Sequence, residues 1–162
     1  MSDFQALYQK YAQDLFRFAL YLTGNRAEAE DIVSETFVRA WTAPGQIRQP
    51  TVKAYLLTIA RNCYRQGLRR STRLSSLSGD EERFADPRQA PHASAEQRAE
   101  VASVMNDLQQ LPELDRSALL MAAVEEMSYE QIGLTLGLSL GAVKTKIHRA
   151  RLKLEQARQS RS

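Results

Sequence analysis

The sequence predicts an all-α protein made of two small helical domains joined by a flexible tether, and three observations carry that reading. Apolar residues recur at three- and four-residue steps nearly throughout the chain, the period of a helix with one buried face. The period disappears between about 72 and 96, where Ser, Asp, Glu, Pro87 and Pro91 dominate. No strand alternation, internal repeat or Gly-rich phosphate loop occurs anywhere. The resulting division is a first domain over 1–71, a flexible linker over 72–96 and a second domain over 97–162, each large enough for a three- or four-helix core.

In the first domain Leu7, Tyr11, Leu15, Phe18, Ala19 and Leu22 form one stripe, and Gly24 stops it. Asn25 is placed to cap a second helix, with Glu28 three residues on in a capping-box pattern; its stripe is Ala29, Ile32, Val33, Phe37, Ala40 and Trp41. Pro44 and Gly45 end that helix, and a turn-rich stretch to Pro50 leads to Thr51, the expected cap of a third. The third helix is expected to bury Val52, Tyr55, Leu56, Ile59, Ala60 and Cys63. Arg61, Arg65 and Arg69 recur on a different face, with Thr58 and Asn62 beside them.

The second domain resumes with Val101, Val104, Met105, Leu108 and Leu111, broken at Pro112, and a helix from about 113 to 126 follows. Ser128, with Gln131 three residues later, opens a short helix carrying Ile132 and Leu136 that Gly137 ends. Ser139 is placed to cap a last helix with Val143, Ile147, Ala150 and Leu154 facing inward. Short helix, turn glycine and capped second helix together have the form of a helix-turn-helix over 128–154.

Composition excludes several function classes. The chain has 162 residues, 43% hydrophobic and 25% charged, values ordinary for folded protein. No run approaches the ~18 apolar residues of a membrane-spanning helix, and the opening MSDFQALYQKYAQDLF lacks a secretory signal's apolar core, so a cytoplasmic location is expected. Cys63, with only His92 and His148 for company, allows neither an internal disulfide nor a structural zinc cluster; no metal and no cofactor are expected. The carboxylates read as exposed on helix flanks, and no serine, cysteine or histidine stands in a nucleophile pattern, so the chain does not read as an enzyme. Cys63 reads as a small buried residue, His92 as linker, and Trp41 with Phe4, Phe16, Phe18 and Phe37 as core.

Net charge is only +3, but it is unevenly spread. Arg61, Arg65, Arg69, Arg70 and Arg73 fall in one stretch without an acid; Lys144, Lys146, Arg149, Arg151, Lys153, Arg158 and Arg161 fall in another against only Glu155. Between them Asp80, Glu81, Glu82, Asp86 and Glu96 outnumber Arg83 and Arg88. Two basic blocks with an acidic spacer suggest two contacts with a polyanion, although either block alone also fits a solvated helix face. In the last helix the coincidence of cap, turn glycine and one-sided charge favours a recognition helix. Arg149 is placed to fork to a guanine edge and Thr145 or His148 to touch bases, while flanking lysines and arginines hold phosphates. The third helix, with Asn62, Gln66 and Tyr64, fits a single strand by amide contact or stacking. The acidic run Glu28, Glu30, Asp31 and Glu35 has the wrong sign for DNA and suits either solvent or a basic protein surface.

Three blocks, LTGNRAEAEDIVSETFVRAW at 22–41, AYLLTIARNCYRQGLRR at 54–70 and LQQLPELDRSALLMAAVEEMSYEQIGLTLGLSLGAVKTKIHRARLKL at 108–154, closely resemble bacterial sigma factors of the extracytoplasmic-function (ECF) type in the sigma-70 family. The resemblance covers nearly the whole chain except the tether. It implies a sigma region 2 domain, a linker and a sigma region 4 domain, and hence a transcription initiation factor. Such a factor binds core RNA polymerase, through the β′ clamp helices and β flap, together with promoter DNA.

By this resemblance Asp31, Glu35, Phe37, Arg39 and Trp41 lie in the core polymerase-binding segment. Arg61, Asn62, Arg65, Gln66 and Arg69 read the −10 element, Asn62 at the position of a flipped base. Lys144, Thr145, Lys146, His148, Arg149 and Arg151 read the duplex −35 element. The resemblance also implies control by an anti-sigma factor. A sigma-like mimic that sequesters an anti-sigma factor would keep the fold but lose the DNA-reading residues, and a conventional helix-turn-helix regulator would not need the 22–70 blocks. Gly133 stands where such proteins commonly carry alanine, and at ~1 kcal/mol of helix propensity it predicts a slightly less stable second domain.

Overall fold

The computed structural model describes residues 3–42, 50–74 and 94–161, with the side chains of 68–74 excepted. Its elements are α1 (Asp3–Thr23), α2 (Arg26–Thr42), α3 (Val52–Leu74), α4 (Ala95–Gln109), α5 (Glu113–Ala123), α6 (Tyr129–Leu136) and α7 (Leu140–Arg161), and no strand occurs among the described residues. The ends of 72–96 belong to α3 and α4, and 75–93, the rest of the expected tether, lie outside the described residues, as do Pro44 and Gly45.

Local chemistry sets most helix starts. The Asn25 side-chain oxygen accepts from the Glu28 N–H at 2.9 Å, and Thr51 Oγ1 accepts from the Ala54 N–H at 3.0 Å. Ser94 and Ser128 each form a full capping box, with Gln97 and Gln131 respectively. Ser139 Oγ accepts from the Ala142 N–H at 3.1 Å. Gly24 and Gly137, at φ of +69° and +70°, adopt the left-handed backbone that lets α1 and α6 stop where they do. The fifth helix ends at Ala123, short of the expected 126, because Glu126 itself turns left-handed at φ +58°.

In the first half α1 packs on α2 and α3, burying Leu15, Phe18, Leu20, Leu22, Phe37, Leu56 and Leu57 almost completely. Each such side chain contributes about 1.5–3 kcal/mol of transfer free energy. The inward side of α3 is rotated from the expected stripe: Ala54 and Leu57 are fully buried, whereas Tyr55 and Ile59 are half-buried and Val52 is exposed. Val52 lies at the first residue of its helix, above the packed layer, and periodicity alone cannot see that edge. In the second half Met121, Ile132, Val143, Ile147 and Ala150 close a small core, and Val104, expected inside, is exposed.

The halves are not independent beads. Helix α1 packs against α4 and α5, and α3 against α6, so the buried residues of both form one cluster. Gln109 Nε2 donates to the Tyr21 carbonyl at 3.0 Å across this boundary. Arg116, only 3% exposed, donates to the carbonyls of Leu108, Gln109 and Leu111 at 3.3, 3.4 and 3.0 Å, bracing the turn that follows α4.

Gly133 corrects an expectation. A Cβ there would meet the Leu138 carbonyl oxygen at 2.7 Å, and the Leu138 N–H donates to the Gly133 carbonyl at 2.9 Å. The turn into α7 folds back on α6 so closely that a methyl group has no room. The propensity cost of glycine is therefore not an avoidable loss of stability at this position.

Candidate nucleic-acid and polymerase interfaces

The outer face of α3 presents Arg61, Asn62, Arg65 and Gln66, while the side chain of Arg69 lies outside those described. Asn62, Arg65 and Gln66 are exposed, but Arg61 is not free: its Nε donates to Glu113 Oε2 at 2.9 Å, and its side chain is 14% exposed. Arg65 Nε lies 3.6 Å from Glu113 Oε1, and Ser117 Oγ donates to Oε2, the oxygen that Arg61 also holds, at 2.9 Å. A carboxylate at the start of α5 thus engages this arginine pair. Beside it Arg116 Nη2 donates to the Tyr64 hydroxyl at 2.8 Å, its guanidinium 5.6 Å from the ring centre. Burial raises the Tyr64 hydroxyl pKa more than the Arg116 charge lowers it.

On α2, Asp31 and Glu35 are exposed, and Arg39 joins their patch to the α3 face. Arg39 Nε donates to Glu35 Oε1 at 2.9 Å, and Nη2 donates to Gln66 Oε1 at 2.6 Å. These residues border a cleft of about 440 Å³ between α2 and α3, floored by Ile32 and Cys63. Of the expected polymerase and −10 residues, Asp31, Glu35, Arg39 and Gln66 therefore share one cleft.

The aromatic pair divides. Phe37 is 2% exposed, with Phe4 edge-on at 6.2 Å and Tyr8 at 4.9 Å, so it supports the surface from within and offers no contact area. Trp41, expected in the core, is 52% exposed and stands edge-on to Phe4 at 5.2 Å. With Val38 and Tyr8, also exposed, it makes an apolar patch that fits a protein partner. Val38 and Tyr8 lie just off the apolar stripe, which is why the periodicity passes over them.

On α7, Lys144, Thr145, His148, Arg149 and Arg151 are exposed, and Val143, Ile147 and Ala150 anchor the helix from behind. Arg149 and the half-buried Lys146 converge on Asp115 of α5. Arg149 Nε donates to Asp115 Oδ2 at 2.8 Å and Nη2 donates to Oδ1 at 3.0 Å, while Lys146 Nζ lies 3.7 Å from Oδ1. Burial pushes the Asp115 carboxyl up, but the Arg149 hydrogen bonds and the charges of Arg149, Lys146 and Lys153 together hold it below its ordinary value.

A second carboxylate lies between the halves. The Glu125 side chain is fully buried, 3.2 and 3.3 Å from Arg17 nitrogens and 3.0 Å from Lys53 Nζ. Hydrogen bonding to Glu125 raises the Arg17 pKa against the opposing effect of burial. Asp14 completes the cluster, 3.1 Å from Arg17 and 3.5 Å from Lys53. The expectation that the acids lie on exposed flanks fails at Asp115 and Glu125, which are 1% and 4% exposed.

Both halves match known families, in the same order. Residues 7–74 match the model for sigma-70 region 2, and residues 99–154 match that for sigma-70 region 4. The ECF RNA polymerase sigma factor SigL of Mycobacterium tuberculosis is 34% identical over 149 residues, 90% of this chain and 83% of that protein. The chain belongs to the ECF sigma factors of the sigma-70 family. SigE of Mycolicibacterium smegmatis, also an ECF RNA polymerase sigma factor, is 31% identical over 95% of this chain, which spans 61% of that relative's length. Among solved structures the sigma factor RpoE, in complex with the anti-sigma factor NepR from Bartonella quintana, superposes with a TM-score of 0.77 at 25% identity, over 98% of both chains. A score that high over both chains requires both halves to superpose together, so the arrangement of α1–α3 against α4–α7 is shared as well. Sigma factors are initiation factors rather than enzymes.

Within this ECF sigma factor, sequence reasoning located the basic faces but missed their carboxylate partners Glu113 and Asp115, and it missed the buried Glu125 that holds Arg17 and Lys53. The sequence places both Glu113 and Asp115 in the first turn of α5, where the helix dipole favours acids, but does not say which of them is buried. No local signal identifies Glu125, whose partners are 108 and 72 positions away in the chain.

Proposed function

We propose that this protein binds core RNA polymerase and directs it to promoters, acting as a cytoplasmic initiation factor. In this reading 1–71 is the region 2 domain, 72–96 the linker and 97–162 the region 4 domain. Asp31, Glu35, Arg39 and the Trp41 patch dock on the β′ clamp helices, with Phe37 bracing them from inside, and region 4 meets the β flap. Arg61, Asn62, Arg65, Gln66 and Arg69 engage the −10 strand; Lys144, Thr145, Lys146, His148, Arg149 and Arg151 engage the −35 duplex. The observation that carries the reading is the region 2 and region 4 match, in order, with an exposed basic helical face in each. An anti-sigma factor is the expected regulator, supported by the similar arrangement of RpoE, whose structure is a complex with one.

Run-off transcription from a genomic fragment library, with purified bacterial core polymerase with and without the protein, tests this reading. Discrete start sites that appear only with the protein are expected. An absence of core binding would overturn it.

A further inference from the structure

Arg149 is the one residue of the α7 face held from two nitrogens by a single buried carboxylate. A guanidinium carries five N–H groups on two usable edges, the side edge Nε/Nη2 and the end edge Nη1/Nη2. Asp115 takes the side edge, at 2.8 and 3.0 Å, and is itself 1% exposed. Arg149 remains 48% exposed. The end edge makes no hydrogen bond within the described residues, and it has the two parallel donors that match guanine N7 and O6. Lys146, 3.7 Å from the same carboxylate, leaves the cluster with one net positive charge, so the surface is not neutralised for DNA.

The fixed component is α5, not α7. Asp115 lies in the first turn of α5, where the helix dipole favours an anion, and α5 packs along α7 through the region 4 core. An unsupported arginine must lose rotamer freedom to read a base, whereas one clamped along its side edge has already lost it. Lysine cannot replace it, because a single ammonium cannot hold the carboxylate and fork to a base at once.

We propose that Asp115 is a positioning residue for base readout: it clamps one edge of Arg149 so that the opposite edge stands fixed for a guanine in the duplex that α7 reads. This rests on the reading of α7 as the −35 helix and adds to it a residue outside α7 that sets specificity at one base pair.

The test uses the full chain assembled with bacterial core polymerase and a pool of promoter duplexes randomised across the upstream element, with bound sequences read before and after selection. Wild type is expected to enrich guanine at one base pair. Asp115→Asn is expected to flatten that preference about tenfold while keeping the preferences elsewhere. Arg149→Lys, which leaves the Asp115 carboxylate in place, is expected to flatten the same base pair, and Asp115→Asn/Arg149→Ala to do no more than Arg149→Ala alone. A uniform loss across all positions in Asp115→Asn would overturn the proposal, since the carboxylate would then only staple α5 to α7. A gain in affinity with the preference intact would overturn it too, since Asp115 would then be masking Arg149. Enrichment by wild type that Arg149→Ala leaves unchanged would overturn the proposal but not the reading of α7. No enrichment by wild type would overturn both.

Discussion

The basic faces of α3 and α7 are alike in composition and opposite in how they are held. The α3 arginines are engaged by Glu113, a residue of the other half of the molecule, at 2.9 Å for Arg61 and 3.6 Å for Arg65. The α7 arginine is engaged by Asp115, two residues further along the same helix but within its own half. In the proposed reading a strand on the first face competes with the Glu113 side chain for Arg61, whereas a duplex on the second leaves the Asp115 contact in place. Neighbouring carboxylates on α5 therefore do different things: one covers a surface and the other shapes one.

The comparison breaks most visibly at the boundary between the halves. Glu125→Ala should cost about 2–3 kcal/mol, below the full penalty of a buried pair because Arg17 and Lys53 keep partial access to water. Urea unfolding monitored by circular dichroism reads that loss, and small-angle scattering should show the halves separating. Gly133→Ala acts only inside region 4. The clash with the Leu138 carbonyl should outweigh the gain in helix propensity, for a net loss of about 1–2 kcal/mol. Duplex binding should weaken in that variant while single-strand binding stays; a stabilised variant would show that the turn relaxes.

Smaller effects separate the two carboxylates directly. Glu113→Gln should raise the affinity of the free protein for a single-stranded −10-type oligonucleotide by about fivefold, the worth of roughly 1 kcal/mol of competing ion pair. Asp115→Asn should leave that affinity unchanged, and fluorescence anisotropy with a labelled strand distinguishes the two. The smallest effect is acid dependence. The Asp115 carboxyl is held below its ordinary 3.8, so its contribution to stability is fully present above about pH 4 and is lost as pH falls through its lower folded value. Wild-type stability should accordingly fall more steeply than that of Asp115→Asn below about pH 4, and the two should run parallel between pH 5 and 7 in denaturant titrations.

Much of the fold was legible because it is local. Asn25, Thr51, Ser128 and Ser139 cap the helices they precede, since a cap requires only a side-chain oxygen and an N–H two or three residues away. The inward stripe of α7 was legible because one helical period decides which side chains share a face, and the family blocks then assigned roles to the outward residues. Trp41 and Val104 escaped because a stripe shows which side is apolar but not how far the neighbouring helix extends to cover it.

By itself, then, the sequence determined the helices, most of their ends, the two basic faces and the family. Tertiary structure alone decided which charges meet. Glu113 and Arg61 are 52 positions apart, Asp115 and Arg149 34, and Glu125 and Arg17 108. An acid looks the same in sequence whether it faces water or a guanidinium, and only packing, which brings distant residues within about 3 Å and removes the water between them, makes one a cover and another a clamp.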